Sequence, residues 1–147
     1  MHRVLKVAIQ QLDPGLPLPS VAHRGDAGVD LHARNDALVS RAGGRVLVPT
    51  GIAVAIPEGY AGFVIPRSGL ALTHGISLVN TPGLIDAGYR GELKCVMLNT
   101  DPTNDYEVKR GDRIAQLVIQ RIEEVAWQVV DSLEGFDRGG GFGHSGR

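Results

Sequence analysis

The stretch RVLVPTGIAVAIPEGYAGFVI, residues 45–65, contains three short apolar runs that are separated by turn residues. The runs cover residues 45–50, 51–56 and 61–65, and Pro57-Glu58-Gly59 reads as a tight turn between the last two. Runs of this length that are rich in Val and Ile and are interrupted by Pro and Gly are typical of β-strands. Such close spacing predicts a β-sandwich or a β-barrel.

The same pattern continues on both sides of this stretch. Further strands are expected at residues 4–12, 27–33, 76–79, 92–98, 113–122 and 125–130. One helical turn is expected at residues 68–73, but no longer window shows a sustained helical period and no internal repeat is present. The sequence therefore predicts an all-β domain, closed or double-sheeted so that its strand edges are protected.

The amino-acid composition is that of an ordinary globular chain, and its charge balance limits the kinds of ligand that the chain can bind. The chain has 147 residues with 21% charged residues and a net charge of -1. This balance argues against broad electrostatic binding to nucleic acid or to a membrane, and leaves a small anion in a local basic pocket as the compatible ligand. Cys95 is the only cysteine and is expected to be a buried apolar residue. The N-terminus lacks the apolar run of a signal peptide, which predicts a cytoplasmic protein.

A second stretch, NTPGLIDAGYRGELKC at residues 80–95, combines turn residues with groups that can do chemistry. It places Asp86 and Tyr89 in a turn that leads directly into an alternating strand. A loop on a rigid edge gives a functional residue both access and a fixed position. Asp and Gly are also ordinary turn residues, so the stretch by itself favours a plain β-hairpin in which Asp86 forms the turn and Tyr89 packs.

The C-terminal segment differs in composition from the rest of the chain. The last ten residues contain five glycines and cannot bury enough surface to fold by themselves. They form either a disordered terminus or a flexible lid whose backbone N–H groups approach an anion with help from Arg138. We therefore divide the chain into a β-domain at 1–132 and a Gly-rich arm at 133–147.

Taken together, five segments resemble the five motifs of the trimeric deoxyuridine triphosphate nucleotidohydrolases, the dUTPases. In chain order they are AGVDL (27–31), PRSGLA (66–71), GLIDAGYRGE (83–92), RGDRIAQL (110–117) and RGGGFGHSG (138–146). Each motif alone is weak evidence for the family, but five motifs in the family's order and spacing are strong evidence for it. The resemblance implies a jelly-roll-like β-barrel that assembles as a homotrimer, in which the arm of one chain closes over an active site built by its neighbours.

The implied reaction is hydrolysis of dUTP to dUMP and pyrophosphate, which keeps uracil out of DNA and supplies dUMP for thymidylate synthesis. Water that attacks phosphorus needs an acceptor for its proton, and Asp86 fits this role by its match to the third motif. The implied cofactor is Mg²⁺, carried mainly by the phosphates and waters. Asp30 would act on the metal through water or would tie subunits together; otherwise it is a buried carboxylate with structural hydrogen bonds.

The resemblance also implies which residues hold the phosphates. Charge on the phosphate oxygens must be offset by cations and fixed donors. The residues at the family's phosphate-contacting positions are Arg67, Ser68, Gly69 and Gln116, with Arg138 arriving from the arm.

Three further residues would select the nucleoside. Asn80 and nearby backbone would read the hydrogen-bonding edge of uracil, a pairing that cytosine leaves unsatisfied. Tyr89 would lie against the deoxyribose and leave no room for a 2′-hydroxyl, while Phe142 would stack on the base. The fifth motif has one residue fewer between Arg138 and Phe142 than is usual, a difference of ~3.3–3.6 Å in reach. Of the five histidines, His144 is the candidate phosphate neighbour.

Two other functions are alternatives to dUTP hydrolysis. The related dCTP deaminases share the barrel and the trimer and use a glutamate as general acid and base, for which Glu92 would be the candidate. The short chain and the intact motif around Asp86 and Tyr89 favour the pyrophosphatase. A silent nucleotide-binding module would be expected to lack the carboxylate that Asp86 supplies.

Overall fold

The computed structural model describes residues 3–143 and 146, in which short strands are joined by tight turns. In chain order the strands and the helix are β1 (Ala8–Gln11), β2 (Val29–His32), β3 (Ala37–Val39), β4 (Arg45–Pro49), β5 (Ile52–Ala55), β6 (Tyr60–Ile65), α1 (Ser68–His74), β7 (Ile76–Leu78), β8 (Gly83–Ile85), β9 (Lys94–Asn99), β10 (Tyr106–Val108) and β11 (Arg113–Arg121). The all-β prediction is confirmed, and α1 extends the single helical turn expected at 68–73. The helix described is far too short to cross a membrane.

Every strand pairing is antiparallel. The largest sheet has the order β2-β11-β6-β8, and a second sheet has the order β4-β9-β7. Two small sheets, β1-β5 and β10-β3, complete the domain. Distribution of the strands over four short sheets follows from the frequent Pro and Gly residues, which end each strand after a few residues.

The core forms where the inward faces of these sheets meet. Strand β9 shows the rule, because Cys95, Met97 and Asn99 alternate with more exposed neighbours and are all buried. Asn99 satisfies its side-chain amide by donating to the carbonyls of Val39 and Asn104. Burial raises the pKa of the Cys95 thiol to about 12. The thiol is therefore protonated and packs as an apolar residue, as the sequence predicted.

The sequence predictions differ from the structure at short or unpaired segments. Strands β3, β8 and β10, each of three residues, were not predicted, because segments this short show little alternating pattern. Strand β7 is equally short but was predicted within the apolar run at 76–79. The strand predicted at 125–130 is wrong for the chain described, which has no strand there. The apolar run is present, but an extended segment becomes a strand only when a neighbour accepts its hydrogen bonds.

After β11 the chain leaves the folded body. Residues 122–140 are all exposed, and the large apolar side chains among them include Trp127 at 91%, Val129 at 95%, Leu133 at 95% and Phe136 at 96% exposure. A monomer rarely leaves a contiguous apolar patch of this kind uncovered. The division of the chain at 132 and 133 stays a prediction, because the packing of this segment depends on what covers it.

Candidate active site

The register of the largest sheet places two predicted site residues, Asp30 and Gln116, in one row with the end of β6. Asp30 of β2 faces Gln116 of β11, and Gln116 faces Ile65 at the end of β6. Adjacent strands are roughly 4.8 Å apart, so these positions are close neighbours. The chain then leaves β6 through Pro66 and enters α1, which brings Arg67 to the same end of the sheet. Residues that are far apart in sequence are thus assembled by strand pairing.

Asp30 lies between two guanidinium groups. Its Oδ1 is 3.5 Å from Nε of Arg67, and its Oδ2 is 3.6 Å from Nη1 of Arg113. Arg67 also donates from Nη1 to the carbonyl of Arg113 at 3.1 Å. Desolvation lowers the pKa of nearby His32, although the charge of Asp30 opposes the shift, so this histidine is neutral at pH 7. The two guanidinium groups beside this carboxylate are donors that can bind an anion.

Gln116 is held against the chain that enters the helix. Its Nε2 donates to the carbonyl of Pro66 at 3.0 Å. Gly28 makes room for this side chain, because a Cβ at position 28 would lie 2.5 Å from Oε1 of Gln116. The glycine of the first motif therefore leaves the space that this orientation of the glutamine of the fourth motif occupies.

A cavity of about 420 Å³ opens at this end of the sheet. Its lining includes the four residues predicted to hold the phosphates from the body of the domain, Arg67, Ser68, Gly69 and Gln116, together with Asp30, which was predicted to act on the metal through water or to tie subunits together. It also includes Arg113, which the sequence reasoning did not single out although it lies inside the fourth motif. The volume is in the range of sites for small ligands. The lining carries two arginines, Arg67 and Arg113, and two carboxylates, Asp26 and Asp30. We call this the basic cavity after its arginines.

The hairpin around β8 forms a second, separate feature. Asp86 is exposed and directly follows β8, and the N–H of Tyr89 donates to its carbonyl at 3.1 Å, which closes the turn. Asp86 and Tyr89 line a cavity of about 220 Å³, which we call the hairpin cavity. Asn80 is exposed at the other end of β8, where its Nδ2 would lie 3.4 Å from a Cβ placed on Gly83.

The two cavities lie at opposite ends of the strand pair β6 and β8. In this antiparallel pair Gly62 faces Ile85, so Asp86 lies level with the start of β6. Arg67 is six residues farther along the chain, beyond the end of β6. Six extended residues span roughly 20 Å. A single chain therefore does not bring Asp86 and Arg67 to the same phosphate.

Glu92, the acidic residue at the end of the hairpin, is held in place by hydrogen bonds to other parts of the fold. Both carboxylate oxygens of Glu92 accept hydrogen bonds from Nη1 of Arg34, at 3.2 and 3.3 Å, and Oε2 also accepts the N–H of Gly51 at 2.9 Å. A general acid and base must exchange its proton with the substrate. These bonds hold the Glu92 carboxylate within the fold and do not support the role that a deaminase would require.

The two residues predicted on the arm lie apart from both cavities. Arg138 and Phe142 are exposed, and Phe142 adopts a φ of 47°, in the left-handed region. The N–H of Gly139 donates to Oδ1 of Asp137 at 2.7 Å, so the arm makes its hydrogen bonds locally. His144, the predicted phosphate neighbour, lies outside the described residues.

The described residues contain no group of three or more His, Cys, Asp or Glu side chains that could hold a metal ion by themselves. Asp30 offers one carboxylate to the basic cavity, and that carboxylate already faces two arginines. This donor set fits a hard cation whose other ligands are phosphate oxygens and waters. It does not fit an ion held by protein ligands alone.

Fold and cavities together define a class of protein, an antiparallel β-domain with a basic cavity of the size that a small anionic ligand needs. A family model described as dUTPase matches residues 15–146. The chain belongs to the dUTPase family.

Individual relatives agree with this assignment. The chain is 57% identical over 146 residues to a deoxyuridine 5′-triphosphate nucleotidohydrolase of Mycobacterium avium, covering 95% of this chain and 94% of the relative. It is 54% identical over 148 residues to the protein of the same name from Corynebacterium glutamicum, covering 100% and 99%.

Solved structures show the same fold. The Staphylococcus bacteriophage 80alpha dUTPase with dUPNHPP superposes with a TM-score of 0.87 at 26% identity, covering 97% of this chain and 99% of that chain. A dUTPase mutant from phage phi11 of S. aureus, described for its coordination of a structural Mg(II) ion, superposes with a TM-score of 0.80 at 25% identity, covering 89% and 100%.

Proposed function

We propose that this chain hydrolyses dUTP to dUMP and pyrophosphate in the cytoplasm, with Mg²⁺, in sites shared among the three copies of a homotrimer. The proposal includes the physiological consequence that uracil is kept out of DNA and dUMP is supplied for thymidylate synthesis. The observation that carries it is the basic cavity lined by Arg67, Ser68 and Gln116 in a chain of the dUTPase family. The relatives named above are described by this activity.

Asp86 is the proposed general base. It is exposed at the rigid end of β8, where a water molecule can reach it. An ionised carboxylate that accepts a proton from this water makes the water a better nucleophile toward the α-phosphorus. The bond to the bridging oxygen then breaks, and pyrophosphate leaves. The accepted proton passes from Asp86 to solvent.

The basic cavity is proposed to hold the phosphates. Arg67 and Arg113 supply positive charge, while Ser68 and Gln116 supply neutral donors, so that charge developing on the phosphate oxygens is offset without reorganisation. A bound Mg²⁺ supplies further charge neutralisation of the phosphates. Asp30 would hold that ion through water and at the same time keep the two arginines in place.

Nucleoside selection is assigned to the hairpin. Asn80 and Asp86 lie at the two ends of the short strand β8, so a nucleoside bound along the hairpin would have its base at Asn80 and its α-phosphate at Asp86. Asn80 would pair with uracil, and Tyr89 would exclude a 2′-hydroxyl. Phe142 would stack on the base from the arm.

Two observations support the proposal that sites are shared between copies. A substrate placed in this way has its phosphates at the end of β8 that lies roughly 20 Å from Arg67 of the same chain. The arm, in turn, exposes Trp127, Val129 and Phe136 almost completely. In a closed assembly of three chains, each hairpin would face the basic cavity of a neighbouring chain. The assembly would also cover these apolar side chains. Arg138 and Phe142 of a third chain would reach the same site.

The test is product analysis with the purified protein. We expect pyrophosphate and dUMP from dUTP in the presence of Mg²⁺, with dCTP unchanged. Asp86→Asn should lower kcat by ~10²–10⁴-fold and retain binding of a non-hydrolysable dUTP analogue, because the amide keeps the shape of the base but accepts no proton. Glu58→Gln, in the exposed turn between β5 and β6, is the matched control. Release of ammonia from dCTP, or full turnover by Asp86→Asn, would contradict the proposal.

A further inference from the structure

A residue outside the proposed reaction controls the position of the Tyr89 ring. We infer that Glu92 is a positioning residue: it fixes Tyr89 from the back of the hairpin and thereby sets how strictly the site rejects a ribonucleotide. The inference about selectivity rests on the proposed function, whereas the inference about ring position stands on the contacts alone.

Tyr89 depends on its neighbours in the hairpin because little else holds it. Its side chain is 44% exposed, so burial alone does not fix the ring. The hydroxyl donates to the carbonyl of Glu92 at 2.9 Å. The ring also lies against Gly91, since a Cβ at that position would be 2.6 Å from Oη and 2.8 Å from Cζ of Tyr89. The ring is thus folded back over Gly91 and attached at its tip to Glu92.

Glu92 can serve as an anchor because it is fixed on its other side. Its Oε2 accepts the N–H of Gly51 at 2.9 Å, and its carboxylate takes two hydrogen bonds from Arg34. The next residue, Leu93, is bound through its own backbone, which donates to Ile52 at 2.9 Å. The carbonyl that receives the Tyr89 hydroxyl is therefore attached to the beginning of β5.

The anchor extends through a chain of alternating charges. Nε of Arg34 is 3.5 Å from Oδ2 of Asp13, and Nη2 of Arg110 donates to Oδ1 of Asp13 at 3.0 Å. Nη1 of Arg110 donates to the carbonyl of Arg34 at 2.8 Å. We call Asp13, Arg34, Glu92 and Arg110 the charge network. Its arginines donate hydrogen bonds to its carboxylates and to backbone carbonyls, so its contribution is rigidity.

Loss of the anchor should weaken selectivity more than catalysis. Asp86 is attached to β8 on the other side of the turn, so the general base keeps its strand when Glu92 is altered. A displacement of about 1 Å is enough to change rates by ~10²-fold when it occurs at a contact with the substrate. We expect Glu92→Gln and Arg34→Met to lower the ratio of kcat/KM for dUTP over UTP by ~10-fold or more, mainly through faster use of UTP.

The ring position can be measured without any activity. The chain has three tyrosines, Tyr60, Tyr89 and Tyr106, so fluorotyrosine labelling gives three ¹⁹F signals, and Tyr89→Phe identifies the one of interest. Glu92→Gln and Arg34→Met should shift or broaden the Tyr89 signal and leave the Tyr60 signal in place. Arg41→Met is the matched control, because it removes an arginine that pairs with Asp105 on the surface. A Tyr89 signal that does not respond to Glu92→Gln or Arg34→Met overturns the inference.

The selectivity assay distinguishes positioning from a general loss of stability. Tyr89→Phe removes only the hydroxyl and should reduce the ratio of kcat/KM for dUTP over UTP as Glu92→Gln does, and the double variant should add little. A merely structural Glu92 would lower the rates with both nucleotides equally and leave the ratio unchanged, which overturns the selectivity claim. If the wild-type protein does not hydrolyse dUTP, the proposed function fails, and the ¹⁹F signal alone decides whether Glu92 fixes the ring.

Discussion

Gly28 and Gln116 show how one atom can decide whether a site is formed. A methyl group at position 28 would lie 2.5 Å from the Gln116 amide oxygen, which is much closer than van der Waals contact. Gly28→Ala should therefore displace Gln116 and break its bond to Pro66. We expect KM for dUTP to rise by about 10-fold, because one neutral hydrogen bond in the phosphate site contributes ~1.5 kcal/mol or less.

The comparison that checks this expectation is Gln116→Ala. If Gly28 acts by making room for the glutamine, the two single variants and the double variant should have nearly the same KM, since contacting residues are not additive. Additive losses in the double variant would show that Gly28 has a separate role.

Single residues could be predicted from the sequence only where they belong to a contiguous motif. Asp86, Arg67 and Gln116 were predicted as site residues because each lies inside a recognisable string of neighbours. Arg34 and Asp13 were not, because their partners Glu92 and Arg110 are 58 and 97 positions away along the chain. Without knowledge of strand pairing, nothing in the sequence connects an arginine after β2 with a glutamate before β9.

Strands and loops were predictable to the extent that their pattern is local. The longer strands β6, β9 and β11 alternate or remain apolar for six to nine residues, and their existence was anticipated. The register that aligns Asp30, Gln116 and Ile65 was not, because the alternation of one strand does not specify which residue of the next strand faces it. The residues of the site can thus be recognised from sequence motifs, but the way they come together depends on strand pairing.

The loops joined by the charge network should make stability sensitive to acid. Hydrogen bonding from Arg110 is the main cause that lowers the pKa of Asp13 from 3.8 to about 2. Because the carboxyl group is more acidic in the folded state, its contribution to the free energy of unfolding is complete above about pH 4 and is lost as the pH falls toward 2. Urea unfolding at pH 7, 4, 3 and 2.5 should show this decline, and Asp13→Asn should be less stable at pH 7 but lose less stability between pH 4 and 2.5.

Part of the loss of stability at low pH must remain in the Asp13→Asn variant. The pKa of Asp101 is also lowered, chiefly by hydrogen bonds from the backbone of Thr103 and Asn104, so the wild-type slope has more than one source. Glu58→Gln serves as the control and should keep the full wild-type slope. An Asp13→Asn protein with an unchanged slope would mean that Asp13 keeps its ordinary pKa.

The arm is an independent segment in the chain described, and its removal should affect activity without affecting the domain. We expect deletion of residues 138–147 to reduce kcat/KM for dUTP severely, by ~10²-fold, because it removes both the proposed phosphate contact of Arg138 and the proposed stacking of Phe142. Light scattering should still report the mass of three chains, since the apolar residues at 127–136 are retained. Normal turnover by the shortened protein would exclude a lid function.

At the scale of the whole molecule, the separation of the two cavities is the feature that the sequence could not reveal. The motifs occur on one chain in a fixed order, and nothing in that order indicates that the third motif lies at the opposite end of a strand pair from the second. Only the antiparallel pairing of β6 with β8 places Asp86 and Arg67 roughly 20 Å apart. The sequence suggests the assembly of several copies only through the family resemblance. Because of this distance, the proposed reaction requires that assembly on geometric grounds.

Mixing two inactive variants tests this requirement directly. Asp86→Asn lacks the proposed base and Arg67→Ala lacks a proposed phosphate contact, so each protein alone should be nearly inactive. If Asp86 of one copy acts with Arg67 of another, random trimers formed after joint unfolding and refolding at equal amounts should contain about one quarter of sites in which both residues are intact. We therefore expect close to a quarter of wild-type kcat per site, whereas separately refolded proteins that are mixed afterwards should stay inactive. If both residues act from the same chain, every site carries one defect and co-refolding recovers nothing.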